Sequence, residues 1–316
     1  MGRQGAEDPS PLFSAVCQMK LGGLGESELL RRILPYLTTT GYAVVAGEDD
    51  AAVWPSLDPD YPEDYVVASC DTSVEGVHFD FSWMTAADAG HRALALALGD
   101  LAAKGAHPKY ALVALAAPRS WSVETVTGLY EGIRKLADRF DIAIAGGDTT
   151  AIDGPGVLTL TVLGTTAVVP LARARVRPGW VVGVTGPLGA AALAMRERRV
   201  ILLEPKFEEG GLLNQAELSC GDISDGLVRE LEKYAAASGV GCVIRAADVP
   251  VAPGATIEDA MASGEEVELV CVGPEDRMIH AGVRPIGVMT LDPKVRVIGA
   301  DGRDFDLQVR GYDHFA

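Results

Sequence analysis

The spacing of apolar and polar residues changes repeatedly along this 316-residue chain, and each change marks an element. Between Glu26 and Leu37 apolar residues recur at helical spacing with charges between them, which predicts a first helix. Short strands follow at Tyr42 to Val45 and Ala51 to Trp54. Tyr65 to Ser69 is apolar and β-branched and predicts a strand that ends at Asp71. Ala86 to Lys104 is rich in Ala and Leu and predicts a long helix. Tyr110 to Ala117 reads as a strand and Val123 to Phe140 as an amphipathic helix. Ile142 to Ala145 reads as a strand running into a double glycine. Val157 to Val168 alternates well enough for a long strand. Pro178-Gly179 is then a strong turn signal. Beyond it lie strands at Trp180 to Thr185, Cys242 to Arg245, Glu268 to Val272, Ile286 to Met289 and Val295 to Ile298, with helices at Gly189 to Met195 and Asp225 to Ser238. Arg196 to Gln215 is weakly patterned and reads as mobile. Helices and strands mix throughout without a tandem repeat. This predicts an α/β (α+β) protein of two domains, 22–174 and 175–316, after a loose tail over 1–21.

Composition narrows the function classes. The chain is 48% hydrophobic and 22% charged, with a formal net charge of −17 and no long basic run. Broad affinity for nucleic acid or an anionic membrane is therefore disfavoured. Cys17, Cys70, Cys220, Cys242 and Cys271 are scattered and odd in number, with no C-x-x-C pair. That pattern argues against a disulfide framework or a zinc site and fits a reducing cytoplasm. There is no charged-then-apolar signal pattern and no apolar stretch of membrane-spanning length.

Five short segments put an aspartate at a strand end or turn, or on a buried-looking helix. They hold Asp49-Asp50, Asp71, Asp100, Asp148 and the Asp222-Ile223-Ser224-Asp225 run. A carboxylate beside apolar residues is costly unless something cationic meets it. Several from distant parts of one chain suggest a shared cation, and Mg²⁺ takes hard oxygen ligands and bridges carboxylates to phosphates. Each segment also has an ordinary reading. Asp49-Asp50 fits a solvated turn, Gly146-Gly147-Asp148-Thr149-Thr150 a tight turn with local caps, and Ser224 or Asp225 a helix cap. His78 fits a packed or capping residue. Asp100 is harder to dismiss, because it lies in an Ala/Leu-rich helix and wants a partner. The P-loop sequence and the Rossmann glycine fingerprint are both missing.

These residues together resemble the thiamine-monophosphate kinase family. The resemblance rests on Asp71-Thr72-Ser73-Val74-Glu75-Gly76-Val77-His78-Phe79, on Gly99 to Ala106, on the Gly-Gly-Asp-Thr-Thr segment and on Asp222 to Leu227. Arg177-Pro178-Gly179, Val184 to Gly189 and the terminal Gly311-Tyr312-Asp313-His314-Phe315 are similar too. It runs in order from about Gly25 to Ala316, and the ordered set is far more specific than any one motif. The resemblance implies the aminoimidazole ribonucleotide synthetase-like fold, with N-terminal domains pairing across a dimer into a β-barrel and a C-terminal α/β domain covering ATP. It implies that Asp50, Asp71, Asp100, Asp148, Asp222 and Asp225 hold several Mg²⁺ ions, with Ser69 and Cys70 adding contacts. Gly147, Asp148, Arg173 and Ser224 would contact ATP. His78, Glu265 and Tyr312 would contact thiamine monophosphate. The implied reaction is direct phosphoryl transfer from ATP to thiamine monophosphate by a cytoplasmic homodimer, without a covalent nucleophile or general base.

The chain departs from the family pattern at Glu48, Cys70, Ala151, Glu266 and Val267. All six implied Mg²⁺ carboxylates remain, so the metal and ATP end is better supported than the acceptor. Another enzyme of the superfamily with a different acceptor, or a non-catalytic ATP-binding relative, stays open at this level.

Overall fold

The computed structural model describes residues 21, 24–37, 41, 43–44, 49–62 and 64–315. Of the expected tail over 1–21 only Leu21 is among them, and Cys17, Glu48 and half of the expected 42–45 strand (Tyr42 and Val45) lie outside them. The fold divides into two compact units, the smaller made of 1–38 with 313–316 and the larger of 39–312. In the smaller unit, helix α1 (Glu26–Ile33) has its first backbone N–H bonded to Asp313 Oδ1 at 3.1 Å. It is shorter than its pattern predicts, because Pro35 turns the chain into a 3₁₀ segment at Leu34–Tyr36.

The larger unit contains two sheets. The first holds β1 (Ala52–Pro55), β2 (Tyr65–Val74), β3 (His107–Pro118), β4 (Ala143–Ile152) and β5 (Val157–Thr166), in the order β1-β2-β5-β3-β4. Its pairings are antiparallel except for β3 with β4. A parallel pair needs a crossover, and helix α3 (Val123–Arg139) supplies it. The second sheet holds β6 (Val181–Val184), β7 (Ser219–Ile223), β8 (Gly241–Arg245), β9 (Glu266–Gly273), β10 (Pro285–Thr290) and β11 (Val295–Ile298). Its order is β11-β8-β10-β6-β9-β7, with only β11 and β8 parallel.

Helix α2 (Ala86–Ala103) organises the site. Thr85 and Asp88 form a reciprocal capping box at its start. Nearly every residue is buried, so α2 lies inside the molecule rather than along its surface. It packs on β2, β5 and α3 and also reaches β7 and β9 of the second sheet. Its crossing with α3 is close because of two glycines. A Cβ on Gly90 would lie 2.0 Å from Leu129 O, and one on Gly132 1.9 Å from Ala87 O. The apolar core around α2 takes in Val67, Leu94, Leu98, Val113, Ile133 and Leu160. A second core lies between the six-stranded sheet and helix α6 (Leu227–Ser238), around Leu231, Ile244 and Val270.

Several elements differ from the patterned expectation. β2 continues through Asp71 to Val74, and β4 continues through Gly146 to Ile152. Asp71 and Asp148 therefore stand inside strands rather than at their ends. The weakly patterned stretch contains helix α5 (Phe207–Gln215), preceded by α4 (Ala190–Glu197). The short helices α7 (Ile257–Ala262) and α8 (Glu275–His280), and strand β7, are only five or six residues long, too short to show a period.

Candidate active site

Strand alternation decides which side chains of β2 can meet α2. Val67 and Ser73 are buried toward the helix, so Ser69 and Asp71 share that face while Cys70 and Thr72 are exposed on the other. Ser69 donates its hydroxyl to Asp100 Oδ2 on α2 and lies 3.3 Å from the carbonyl of Asp50. Cys70 points away, where Thr161 Oγ1 lies 3.4 Å from its sulfur. Its side chain is thus on the wrong face to serve the cluster, leaving it only its backbone for that role.

Asp50, Asp100 and Asp222 come together from a turn, a helix and a strand. Each offers a carboxylate oxygen within 4.8 Å of the others. Gly99 makes room for this, since a Cβ there would lie 3.0 Å from Asp222 Oδ2. Asp222 Oδ1 is buried and accepts no hydrogen bond. Burial, then the charges of Asp100 and Asp50, push the Asp222 carboxyl well above its usual range. Asp100 is pushed up to about 8, first by burial and then by the negative charges of Asp50 and Asp71, against the Ser69 hydrogen bond. Asp71 is therefore near enough to Asp100 to repel it electrostatically.

Asp50 behaves differently because cations reach it. Burial opposes its charge, but Arg173 and Lys104 hold its carboxyl below the usual value. The ordinary alternative for Asp49-Asp50, a solvated turn, does not hold: the Asp49 and Lys104 side chains are each 1% exposed and paired. Lys104 Nζ also donates to the Cys220 carbonyl at 2.6 Å. Arg173 pairs with Asp50 and, at 2.9 Å, with Glu230 Oε2. Lys233 joins Glu230 and Asp225, each at 2.7 Å. The result is an alternating ion chain from Lys104 through Asp49 and Asp50, Arg173, Glu230 and Lys233 to Asp225. With Asp100 and Asp222 beside it, six carboxylates face three cations. Among the described residues no ion pair reaches Asp100 or Asp222, so theirs are the carboxyls that a hard divalent cation could hold in place of protons.

Arg173, implied as an ATP contact, is 5% exposed and spans this chain. Asp225 is held by Lys233 rather than by the three-carboxylate set. Asp148 is exposed and pairs in register with exposed Ala114, while its neighbour Gly147 pairs with buried Val113. A Cβ on Gly147 would lie 1.7 Å from Val113 O, so this glycine answers to the neighbouring strand. Asp148 is thus on the opposite sheet face from Asp71.

Of the residues that the resemblance implies as acceptor contacts, Glu265 and Tyr312 both bond to the Ser224-Asp225 segment, and His78 is joined to Glu265 through Arg92. The backbone N–H of Glu265 bonds to Ser224 O at 2.7 Å, and that of Tyr312 bonds to Asp225 O at 3.0 Å. Arg92 of α2 donates to the carbonyl of His78 at 3.1 Å and to Glu265 Oε2. His78 Nδ1 accepts from Val74 N at 3.1 Å, which leaves Nε2 to carry the ring proton. Sequence reasoning missed Lys104, Glu230 and Arg92. Lys104 was visible in principle, four residues after Asp100 at the end of a buried helix.

The family model "AIR synthase related protein, N-terminal domain" matches residues 48–167. A thiamine-monophosphate kinase of Rhodopirellula baltica is 35% identical over 252 residues, covering 75% of this chain and 78% of that protein. The chain belongs to the thiamine-monophosphate kinase family. The family's member in Escherichia coli K12 is 32% identical over 92% of this chain and 98% of its own length. A solved family structure, AaThiL complexed with AMPPCP and TMP, superposes with a TM-score of 0.79 at 25% identity, over 94% of this chain and 99% of that one. The two mixed sheets are accordingly those of the AIR synthase-related fold.

Proposed function

We infer that this chain is a thiamine-phosphate kinase. It transfers the γ-phosphoryl group of ATP to the phosphate of thiamine monophosphate, giving ADP and thiamine diphosphate. The observation that carries this is the family match over most of both chains, joined to a solved relative that holds an ATP analogue and TMP in the same fold.

The buried carboxylate set fits Mg²⁺: three oxygens converge, one Asp222 oxygen lacks a partner, and nearby cations do not balance the charge. Asp50, Asp100 and Asp222 would hold it, with Asp71 adjacent and Ser69 orienting Asp100. Bound there, the ion supplies charge neutralisation for the phosphates. The chain's own residues do the positioning. Asp148 and Asp225 would serve further ions, Cys70 through its backbone, and Gly147, Ser224 and Arg173 the nucleotide. Arg173 would act indirectly, by holding Asp50. His78, Glu265 and Tyr312 would line the acceptor. A phosphate monoester has a second pKa of about 6, so the attacking oxygen is already ionised at neutral pH and needs no general base. Alignment for in-line displacement is then the main catalytic task.

The same reading assigns residues 22–174 to a nucleotide, metal and dimerisation domain and 175–316 to a covering α/β domain. A homodimer would pair the outer faces of two five-stranded sheets into a barrel. That face carries exposed Tyr110 and Leu112, and β4 is an edge strand. Among the described residues no helix is long and apolar enough to cross a membrane, and we assign the enzyme to the cytoplasm. The decisive assay is thiamine diphosphate formation from ATP and thiamine monophosphate, with and without Mg²⁺. Mg²⁺-dependent product supports the reading, and its absence with folded protein overturns it.

A further inference from the structure

Arg92 is 6% exposed and lies two helical turns before Asp100 on α2. Its guanidinium has two partners that are far apart in sequence. Nε donates to the His78 carbonyl at 3.1 Å, in the loop after β2. Nη2 donates to Glu265 Oε2, just before β9, 173 residues away. Glu265 itself sits in a left-handed backbone conformation, φ +57°, which a non-glycine residue adopts only when its surroundings hold it there. Its N–H is fixed to Ser224 O at 2.7 Å. With Oε2 taken by Arg92, Oε1 is left buried and without a hydrogen-bond partner. An unpaired buried carboxylate oxygen is costly and stays so until a donor or cation arrives.

We propose that Arg92 is a positioning residue for the acceptor: it ties Glu265 to the His78 loop and so presents Glu265 Oε1 to an N–H donor or cationic ring of the bound substrate. This rests on the acceptor assignment of His78 and Glu265 made above. One rigid helix then carries both ends of the reaction, with Arg92 and Asp100 about 12 Å apart along the axis. The planar fork of arginine suits the task because it can hold two partners at once, whereas a lysine ammonium cannot hold the same geometry.

The test compares Arg92→Lys, Arg92→Gln, Glu265→Gln and the double variant Arg92→Lys/Glu265→Gln in the full chain. Steady-state KM is measured for thiamine monophosphate and for ATP separately, with thermal melting of each variant. Arg92→Lys should raise KM for thiamine monophosphate by about tenfold, the scale of one charged hydrogen bond, with KM for ATP little changed. Arg92→Gln should do at least as much. The double variant should be no worse than the poorer single one, because both act through one carboxylate. Additive losses, or equal rises in both KM values, would mark a merely structural role and overturn the proposal. An unchanged KM for thiamine monophosphate in both Arg92 variants beside a raised one in Glu265→Gln would overturn it while leaving the acceptor assignment intact. No effect of Glu265→Gln would remove the acceptor assignment itself, and the proposal with it.

Discussion

Lys104 Nζ lies 3.1 Å from Asp50 Oδ2 while also donating to Asp49, so one buried ammonium serves two adjacent aspartates. This relationship explains how a double aspartate can stand next to Asp100 and Asp222 without unfolding the cluster. The ammonium is held charged despite burial, by Asp49 and then Asp50. It also bonds to the carbonyl of Cys220, which joins the end of α2 to β7 and thereby sets where Asp222 emerges.

Replacing Lys104 by Met keeps the stem but removes the ammonium from Asp49 and, among the described residues, leaves Asp50 with Arg173 as its one paired cation. Breaking a buried pair from one side costs about 3–5 kcal/mol. Denaturant unfolding of Lys104→Met should show a loss of that order, and a loss below about 1 kcal/mol would mean that the ammonium contributes little to holding the pair.

Asp100 gives a pH signature. Its carboxyl is raised to about 8 in the folded, metal-free protein, against about 3.9 in an unfolded chain. A raised acid favours the folded state below the unfolded value, and this stability is lost as pH climbs toward the folded one. Metal-free melting temperature should therefore fall between about pH 4 and 8, Asp100→Asn should flatten the fall, and Mg²⁺ should offset it by selecting the ionised form. A melting profile in chelator that is equally steep for both proteins would contradict this assignment.

Asp148 offers a sharper choice. It is an exposed strand residue, so Asp148→Asn should fold normally. If Asp148 holds a metal on the nucleotide phosphates, turnover should drop by roughly 10²-fold or more, the scale of losing one preorganised electrostatic contact. Near-normal turnover would return it to the role of an ordinary edge-strand residue.

The dimer proposal predicts that Leu112→Asp, on the outer face of β3, yields a monomer with its secondary structure retained. Light scattering at micromolar concentration, with circular dichroism, checks both parts. A wild-type protein already monomeric there would end the barrel reading.

Periodicity was a good guide where a strand or helix is wet on one side. The 295–298 strand has the bounds its pattern predicts, and amphipathic α3 ends one residue before its own; buried α2, legible from its Ala/Leu run rather than from a wet face, also ends one residue early. It failed where both faces are buried or where function supplies the residues. β7 reads Ser-Cys-Gly-Asp-Ile and is buried throughout, so no alternation survives to reveal it. The Gly-Gly-Asp-Thr-Thr segment looks like a turn by composition, yet pairing with β3 draws it into β4.

The ordered motifs by themselves determined the family and the reaction class and named Asp50, Asp100 and Asp222, the carboxylates that the fold brings together, because those are properties of residue identity and sequence order. Which carboxylates meet was decided only by tertiary structure. Asp49 and Asp50 look solvated beside their sequence neighbours, but Lys104 and Arg173 reach them across 55 and 123 positions. Glu265 looks available for a cationic ligand, but Arg92 already holds one of its oxygens. Local sequence carries the dihedral preferences and the apolar period. Charge pairing depends on distance in space and on the low dielectric of a buried site, and both exist only once the sheets and α2 have packed.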